Sequence, residues 1–215
     1  MTMAYAVKEI FFTLQGEGVN AGRPAVFLRF SGCNLWSGRE ADRGRGPGGC
    51  SRWCDTSFAG TDGTAGGKYA TAASLAERVA ELWPTERGTR LVVCTGGEPL
   101  LQLDAALVEA LHGRRFQVAI ETNGTLAVPE GVDWVCVSPK AGSTCVVTEG
   151  NELKLVFPQD GIDPETYRQL AFDHFLLQPC DGPNRVEHMR RTLEYCLVHP
   201  WWRLGVQSHK VLGIR

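Results

Sequence analysis

The chain has 215 residues, which is enough for one well-packed core and too few for a large multidomain assembly. Hydrophobic residues make up 43% of the sequence and charged residues 21%, a composition that excludes intrinsic disorder. The formal net charge of −2 supplies no field that would hold a polyanion, so nucleic acid is not expected as a partner.

No feature of the sequence predicts a membrane or secretory destination. Uncharged apolar runs stay below the roughly 18 residues that a spanning helix needs. The first ten residues lack the basic flank, apolar stretch and cleavage site of a signal peptide. We therefore expect a cytoplasmic protein, in which the eight cysteines are buried, catalytic or metal-binding thiols rather than disulfides.

In chain order, short apolar runs that end in polar or glycine-rich residues predict seven strands. These strands cover residues 26–30, 91–94, 118–120, 134–137, 153–157, 175–177 and 204–206. Apolar residues at helical spacing predict helices between several of them, over residues 74–83, 103–111 and 186–197. This alternation of strand and helix predicts a parallel sheet with helices packed on it.

Polar residues follow several predicted strands, in the segments 95–99, 121–124, 138–140, 178–181 and 207–210. The carboxyl ends of parallel strands are where ligands bind in α/β sheets and barrels. A complete eight-stranded barrel usually needs about 250 residues. The sequence therefore predicts an α/β fold over residues 1–215, a single-domain, incomplete TIM-like barrel with a ligand site at one edge.

One long segment, residues 37–49, interrupts this alternation. It contains five glycines and charges of both signs, which predicts a surface loop. Cys33 and Cys50 stand on either side of it. Long loops without secondary structure are usually functional or disordered, and anchoring at both ends favours function. A second glycine-rich stretch, residues 60–67, is interpreted as a plain connection.

The cysteines divide into two groups. Cys33, Cys50 and Cys54 lie in loop contexts, and three others fall inside strand or helix patterns and are expected to fill the core: Cys94, Cys136 and Cys196. Three thiolates suit an iron–sulfur cluster or zinc, although structural zinc normally takes a fourth ligand. A four-iron cluster with three protein ligands leaves one iron open for an amine and a carboxylate, such as those of S-adenosylmethionine. Spacing alone leaves both metals open.

Seven motifs together resemble the 7-carboxy-7-deazaguanine synthase family of the radical S-adenosylmethionine superfamily, nearly from end to end. They are TLQGEG (13–18), RFSGCNL (29–35), CDT (54–56), TGGEP (95–99), ETNG (121–124), SPK (138–140) and QSHK (207–210). The superfamily's usual spacing is Cys-x3-Cys-x2-Cys, whereas here the intervals are Cys33-x16-Cys50 and Cys50-x3-Cys54. Some members of the family expand the first interval. The extra residue in the second is a departure that bears on ligand geometry.

The resemblance implies the activity of a lyase with a radical mechanism. It implies conversion of 6-carboxy-5,6,7,8-tetrahydropterin to 7-carboxy-7-deazaguanine with release of ammonia, a step toward queuosine-type nucleosides. The cofactors implied are a 4Fe-4S cluster on Cys33, Cys50 and Cys54, S-adenosylmethionine and Mg²⁺. The implied partners are a flavodoxin-like or other one-electron reductant and a second copy of the chain in a homodimer. In such an enzyme the protein supplies position and shielding while the cofactor supplies the difficult chemistry.

The resemblance also implies roles for individual residues. S-adenosylmethionine would be bound by Trp53, Cys54, Asp55, Gly97, Glu121, Ser138, Pro139, Lys140, Gln178, Pro179, Cys180 and Asp181. Mg²⁺ would be bound by Thr56, since this hard cation keeps few protein ligands. The pterin would be bound by Leu14, Gln15, Gly16, Glu17, Arg29, Thr95, His209 and Arg215. Among these, the Arg29 guanidinium offers the bidentate fork that suits the substrate carboxylate.

Simpler interpretations stay open at this point. Glu121 and Lys140 could be solvated loop charges, Asp55-Thr56 a turn cap, Arg29 half of a buried ion pair, and His209 a cap on the sheet. Two other functions also stay open. A glycyl-radical-activating or other small radical S-adenosylmethionine enzyme would share the cysteines and Gly97, and a non-catalytic zinc-binding module would share the cysteines alone.

Overall fold

The computed structural model describes residues 4–85 and 87–215. Within them the strands are β1 (Tyr5–Leu14), β2 (Pro24–Phe30), β3 (Gly67–Tyr69), β4 (Arg90–Gly96), β5 (Phe116–Thr122), β6 (Trp134–Val137), β7 (Glu149–Phe157), β8 (Ala171–Pro179) and β9 (Arg203–Leu204). The helices are α1 (Ala72–Glu81), α2 (Ala105–Gly113), α3 (Arg185–Val198) and α4 (Ser208–Leu212). No helix among the described residues is both long and apolar enough to cross a bilayer.

All the described strands belong to one sheet, in the order β3-β1-β2-β4-β5-β6-β7-β8-β9. The pairs β2-β4, β4-β5, β5-β6, β6-β7, β7-β8 and β8-β9 are all parallel. At the other end, β1 pairs antiparallel with both β2 and β3. The two edge strands, β3 and β9, lie at opposite ends of this order, so the sheet is an open, partial barrel. This confirms the predicted fold class.

The seven predicted strands correspond to β2 and to β4 through β9. The predicted parallel sheet is present, and it is extended at one edge by the antiparallel strands β1 and β3, which were not predicted. Strand β1 carries a register shift between Val7 and Glu9, which interrupts the alternation of apolar and polar residues that marks a strand. The stretch interpreted as a plain connection ends at Gly67, where β3 begins.

The predicted helices correspond to α1, α2 and α3, and α4 was not predicted. In α1 the side chain of Thr71 accepts a hydrogen bond from the Ser74 amide, and in α2 Asp104 does the same for the Leu107 amide. Such caps satisfy free amides in the first turn. Both helices bury one apolar stripe against the outer face of β1, β2, β4 and β5, which forms the largest core cluster.

The inner face of the sheet carries apolar residues at the amino ends of its strands and polar residues at their carboxyl ends. Ala25, Leu91, Val93 and Ala119 form a small apolar cluster on this face. Because side chains alternate with a period of two, Thr95 follows Val93 on this face and Glu121 follows Ala119. The inside of the barrel is therefore apolar toward the amino ends of the strands and polar at their carboxyl ends.

The segment between β2 and β3 is irregular, with short 3-10 turns at Glu40–Asp42 and Gly49–Arg52. Buried aromatic side chains anchor it, since Trp36 and Phe58 pack edge to face with ring centroids 5.7 Å apart. All eight cysteines of the chain are free thiols. Of the three that were expected to fill the core, Cys94 and Cys136 are buried and Cys196 is half-buried.

Candidate active site

A cavity of about 340 Å³ opens where the carboxyl ends of the parallel strands meet. The predicted residues that line it are Leu14, Gln15, Gly16, Glu17, Arg29, Cys33, Cys50, Trp53, Cys54, Asp55, Thr56, Thr95, Gly97, Glu121, Ser138, Lys140, Gln178, His209 and Arg215. Pro139, Pro179, Cys180 and Asp181 lie outside this lining. Asp181 instead accepts a hydrogen bond from Lys210, a cavity residue that was not predicted, over 2.6 Å.

The loop cysteines Cys33, Cys50 and Cys54 come together on one wall of the cavity. Burial raises the pKa of the Cys33 thiol, and it raises the pKa of Cys50 to about 11 although Lys140 opposes the shift. Such thiols lose their protons when a metal replaces them, since metal binding requires the thiolate. The Cys54 amide donates a hydrogen bond to the Cys50 carbonyl over 2.8 Å, which fixes the spacing of these two residues.

The three loop cysteines are the thiols on this wall that could hold a metal. In residues 4–85 and 87–215, no group of three or more His, Cys, Asp or Glu side chains converges as if on one metal ion. A structural zinc site needs four ligands that converge in this way. In an iron–sulfur cluster the cysteine ligands are spread over several irons, so their sulfurs do not need to meet at one point.

In the turn after β4, the backbone of Gly97 packs directly against the loop that contains Cys33. A Cβ at Gly97 would lie 2.2 Å from the Gly32 carbonyl oxygen and 2.6 Å from the Cβ of Cys33, so only glycine fits there. Next to it, the fully buried carboxylate of Glu98 accepts hydrogen bonds from the Thr122 hydroxyl over 2.7 Å and from the Asn123 amide over 2.8 Å. Glu98 therefore ties the end of β4 to the end of β5.

Two polar groups on the cysteine side of the cavity lack ordinary partners. The Lys140 ammonium donates to the Ser138 hydroxyl over 2.5 Å and lies 5.6 Å from the centre of the Trp53 ring, and among the described residues no carboxylate pairs with it. Burial lowers its pKa. The side-chain oxygen of Gln178 is buried without a hydrogen-bond partner. Buried polar groups are normally satisfied, so both suit a ligand that carries a carboxylate and an amine.

A second part of the cavity lining, the Arg29 wall, has two guanidinium groups that share one carboxylate. Arg29 donates from Nε to Glu9 Oε1 over 2.9 Å, and Arg215 forms an ion pair with Glu9 Oε2. Both arginines also lie near the Phe11 ring, 5.9 Å and 4.6 Å from its centre. Arg29 therefore takes part in an ion pair and also lines the cavity, and its role toward the substrate stays a prediction. Glu9, Arg29 and Arg215 all line the cavity, so this ion-paired group is open to a ligand there.

Lys154, on β7, bridges Glu17 and Glu121 and was not predicted. Its Nζ lies 2.7 Å from Glu17 Oε2 and 2.6 Å from Glu121 Oε2, so Glu121 is not a solvated loop charge. Burial alone would raise the pKa of Glu17, but Lys154 and a hydrogen bond from Gln207 lower it to about 2. The sequence contained a pattern that could have identified Lys154. Glu152 and Lys154 alternate with apolar residues at the beginning of a predicted strand, and alternate residues of a strand share one face, so two charged side chains would lie on the same side of the sheet.

The C-terminal segment closes the cavity by docking on the loop after β1. The Ser208 amide donates to the Gly16 carbonyl over 2.8 Å, and the Gln207 side chain donates to Glu17 Oε1 over the same distance. His209 lies so close to Gly16 that a Cβ at position 16 would stand 2.2 Å from its Nδ1. His209 therefore faces the cavity rather than only ending the sheet.

A partial α/β barrel with three loop cysteines and a glycine turn at the carboxyl edge of its strands defines a radical S-adenosylmethionine enzyme. No family model matches the chain. Its sequence is 60% identical over 213 residues to the 7-carboxy-7-deazaguanine synthase of Bradyrhizobium diazoefficiens and 59% identical over 212 residues to that of Bordetella pertussis, covering 99% of this chain and 100% of each relative. The chain belongs to the 7-carboxy-7-deazaguanine synthase family.

A solved structure supports the same assignment. The crystal structure of QueE from Escherichia coli matches with a TM-score of 0.70 at 28% identity, over 96% of this chain and 95% of that one. The match therefore includes the whole partial barrel rather than one motif. At 28% identity, this relative has diverged further in sequence than the two synthases compared above.

Proposed function

We propose that this enzyme converts 6-carboxy-5,6,7,8-tetrahydropterin to 7-carboxy-7-deazaguanine with loss of ammonia, as a lyase of the queuosine pathway. One observation carries the proposal. The cysteine wall and the Arg29 wall face the same cavity, so a metal-bound cofactor and an anionic heterocycle would meet there. A glycyl-radical-activating enzyme acts on a protein, and a zinc module needs convergent ligands; neither matches this arrangement and family.

Residues of the cysteine wall would hold the cluster and S-adenosylmethionine. Cys33, Cys50 and Cys54 would bind three irons, and Gly97 would let the backbone approach the sulfonium nucleotide. Lys140 would face its carboxylate, and Gln178 would accept from a donor of the ligand. When bound, these groups supply reductive bond cleavage and hydrogen-atom abstraction, which the protein orients and shields from water.

Residues of the Arg29 wall would hold the pterin. Arg29, with Arg215 beside it, would bind the substrate carboxylate, because charge-assisted guanidinium hydrogen bonds are among the strongest available to a protein. Glu17 stays ionised and would accept hydrogen bonds from the N–H donors of the pterin ring. Thr95 lies between the two walls, where it would contact either ligand.

Thr56 would be the protein ligand of Mg²⁺, with substrate oxygens and water in the remaining positions. The neighbouring Asp55 forms an ion pair with Lys210, so this acid does not compete for the metal. Replacing Thr56 with valine removes the hydroxyl and keeps the shape. We expect this variant to need more Mg²⁺ for half-maximal rate, and an unchanged Mg²⁺ requirement would contradict the assignment.

We propose a homodimer formed through α3, whose apolar residues face outward. Its sheet side carries His188, Thr192 and Tyr195, whereas four exposed apolar residues form a stripe at helical spacing: Val186, Met189, Leu193 and Leu197. Exposed stripes of this kind mark interfaces. An antiparallel pairing of two α3 helices would set Val186 against the partner's Leu197, so the apolar stripe of each copy would cover the other. Arg190 pairs with Glu187 and Glu194 of its own helix, which leaves these charges neutralised beside the stripe.

Sedimentation tests this interface. The wild type should sediment at twice the chain mass. Leu193→Glu should sediment as a monomer, whereas the matched variant Val146→Glu, which also places a charge at an exposed apolar position, should stay dimeric. A Leu193→Glu dimer would show that another surface pairs.

The enzyme would work in the cytoplasm, where its eight thiols stay reduced and a flavodoxin-like or other one-electron carrier is present. The decisive experiment is anaerobic incubation of reconstituted protein with the carboxypterin, S-adenosylmethionine, Mg²⁺ and a reductant, followed by product mass. A product of the mass of 7-carboxy-7-deazaguanine supports the proposal. Absence of that product from protein carrying its full iron content would overturn it, and a colourless zinc protein would favour the non-catalytic alternative.

A further inference from the structure

Lys154 is buried at the back of the cavity, between two carboxylates from distant parts of the chain. Its side chain is 4% exposed, and those of Glu17 and Glu121 are 19% and 22% exposed. Gln15 donates a further hydrogen bond to Glu121 Oε1 over 3.0 Å, and Gln207 donates one to Glu17 Oε1 over 2.8 Å. Each carboxylate is therefore held on both oxygens while its edge stays at the cavity surface.

We propose that Lys154 is a positioning residue for pterin binding: by fixing the carboxylates of Glu17 and Glu121, it presents Glu17 to the N–H donors of the ring. This inference rests on the proposed function, because it takes a pterin as the ligand of this wall. Lys154 touches neither the cysteines nor Arg29, so its contribution is separable from theirs.

The surroundings explain why a cation is needed at this position. Glu152, also buried, accepts from the Val19 amide over 2.9 Å and lies 3.6 Å from the Cys136 sulfur. Three carboxylates thus lie around one ammonium. The other titratable groups that face them are Cys136 on β6, Lys140 after β6 and His209 on α4. Burial and the neighbouring carboxylates raise the pKa of Glu121, although Lys154 opposes this.

Removing the Lys154 ammonium would change the protonation state of Glu17. In the wild type, Lys154 keeps the pKa of Glu17 at about 2, so this carboxylate stays ionised at every working pH. In Lys154→Met, burial and repulsion from Glu121 and Glu152 would raise that pKa. Glu17 would then take up a proton as the pH falls and lose its ability to accept from the ring. Lys154→Arg keeps a cation and should keep Glu17 ionised.

Calorimetric titration of the reconstituted full chain with 6-carboxypterin, in the presence of S-adenosylmethionine and Mg²⁺, tests the proposal without turnover. We expect Lys154→Met to bind about tenfold more weakly at neutral pH and to weaken further between about pH 7 and 5, relative to the wild type. Lys154→Arg should follow the wild type. The three proteins differ only at position 154, so the difference between their titrations measures the effect of that side chain.

The outcomes separate the two proposals. If the wild type binds no pterin, the proposed function fails. If the wild type binds and Lys154→Met shows the same affinity, or a weaker affinity with an unchanged pH dependence, the positioning role is overturned and Lys154 is merely structural. Should Lys154→Met fail to fold, the double variant Lys154→Met/Glu121→Gln removes one charge of each sign. It should show an added pH dependence in the same direction, smaller because the neutral amide at position 121 no longer repels Glu17. A double variant with the pH dependence of the wild type would overturn the proposal equally.

Discussion

Gly16 and His209 lie in direct contact, and the imidazole fills the space that a side chain at position 16 would need. A Cβ there would stand 2.2 Å from Nδ1 of His209. The neighbouring Ser208 hydroxyl donates to the Gly16 carbonyl over 3.0 Å, across a separation of 192 positions in the sequence. The loop after β1 and the C-terminal helix therefore build one wall of the cavity together.

Gly16→Ala should displace His209 and weaken pterin binding. The added methyl group cannot be accommodated without moving the imidazole, and overpacking of this kind costs about 1 to 3 kcal/mol. We expect KM for the carboxypterin to rise about tenfold at an unchanged iron content. Gly113→Ala is the control, because no atom lies within 4 Å of a Cβ at that position. An unchanged KM in Gly16→Ala would show that His209 is dispensable.

Each of the variants Cys33→Ala, Cys50→Ala and Cys54→Ala should lose the cluster. The three thiols line one cavity wall, and no other cysteine of the chain lines it. Iron per chain after anaerobic reconstitution measures the effect. Cys196→Ala, which removes a half-buried thiol on α3, should keep the wild-type iron content. Full iron in any of the three variants would mean that the ligand set is wrong.

Arg29→Ala should impair pterin turnover and spare the cluster. It removes the guanidinium expected to bind the substrate carboxylate and leaves Glu9 paired with Arg215 alone. A hydrogen bond to a charged group contributes about 1.5 to 3 kcal/mol, so kcat/KM should fall about 10- to 100-fold. Arg78→Ala, on the exposed side of α1, should change neither quantity. Wild-type kinetics in Arg29→Ala would leave the carboxylate role without support.

Glu17→Gln should reduce the sensitivity of the fold to acid. The pKa of Glu17 falls from its ordinary value of 4.5 to about 2 on folding, so the folded state binds fewer protons than the unfolded state between these values. The stabilisation is complete above about pH 4.5 and is lost as the pH falls toward 2. Urea unfolding at about pH 6 and about pH 3.5 should show a smaller loss in Glu17→Gln than in the wild type, whereas Glu109→Gln, exposed on α2, should match the wild type.

The strands and helices that pack the barrel could largely be predicted from the sequence. Apolar runs located β2 and β4 through β9, and helical spacing located α1 to α3, because both patterns come from local periodicity. Strand β1 escaped prediction since its register shift breaks the alternation, and α4 escaped because it spans only Ser208–Leu212. The motifs at the strand ends pointed to one site, and the cavity brings most of their residues together.

The partners of the charged residues could not be predicted in the same way. Nothing near Arg29 in the sequence identifies Glu9 and Arg215 as its neighbours, and nothing near Glu17 identifies Lys154. Arg215 is 206 positions from Glu9, and Lys154 is 137 positions from Glu17. These contacts form only when the sheet curls and the C-terminal segment docks on it.

Seven motifs were enough to indicate the family by resemblance, and local periodicity was enough to predict parallel strands and to separate the three loop cysteines from those of the core. The folded chain was needed to show that two guanidinium groups share Glu9 and that one buried ammonium pairs with both Glu17 and Glu121. The difference between the two lies in burial. The charge state of a side chain depends on which groups share its low-dielectric surroundings, and folding alone chooses those groups.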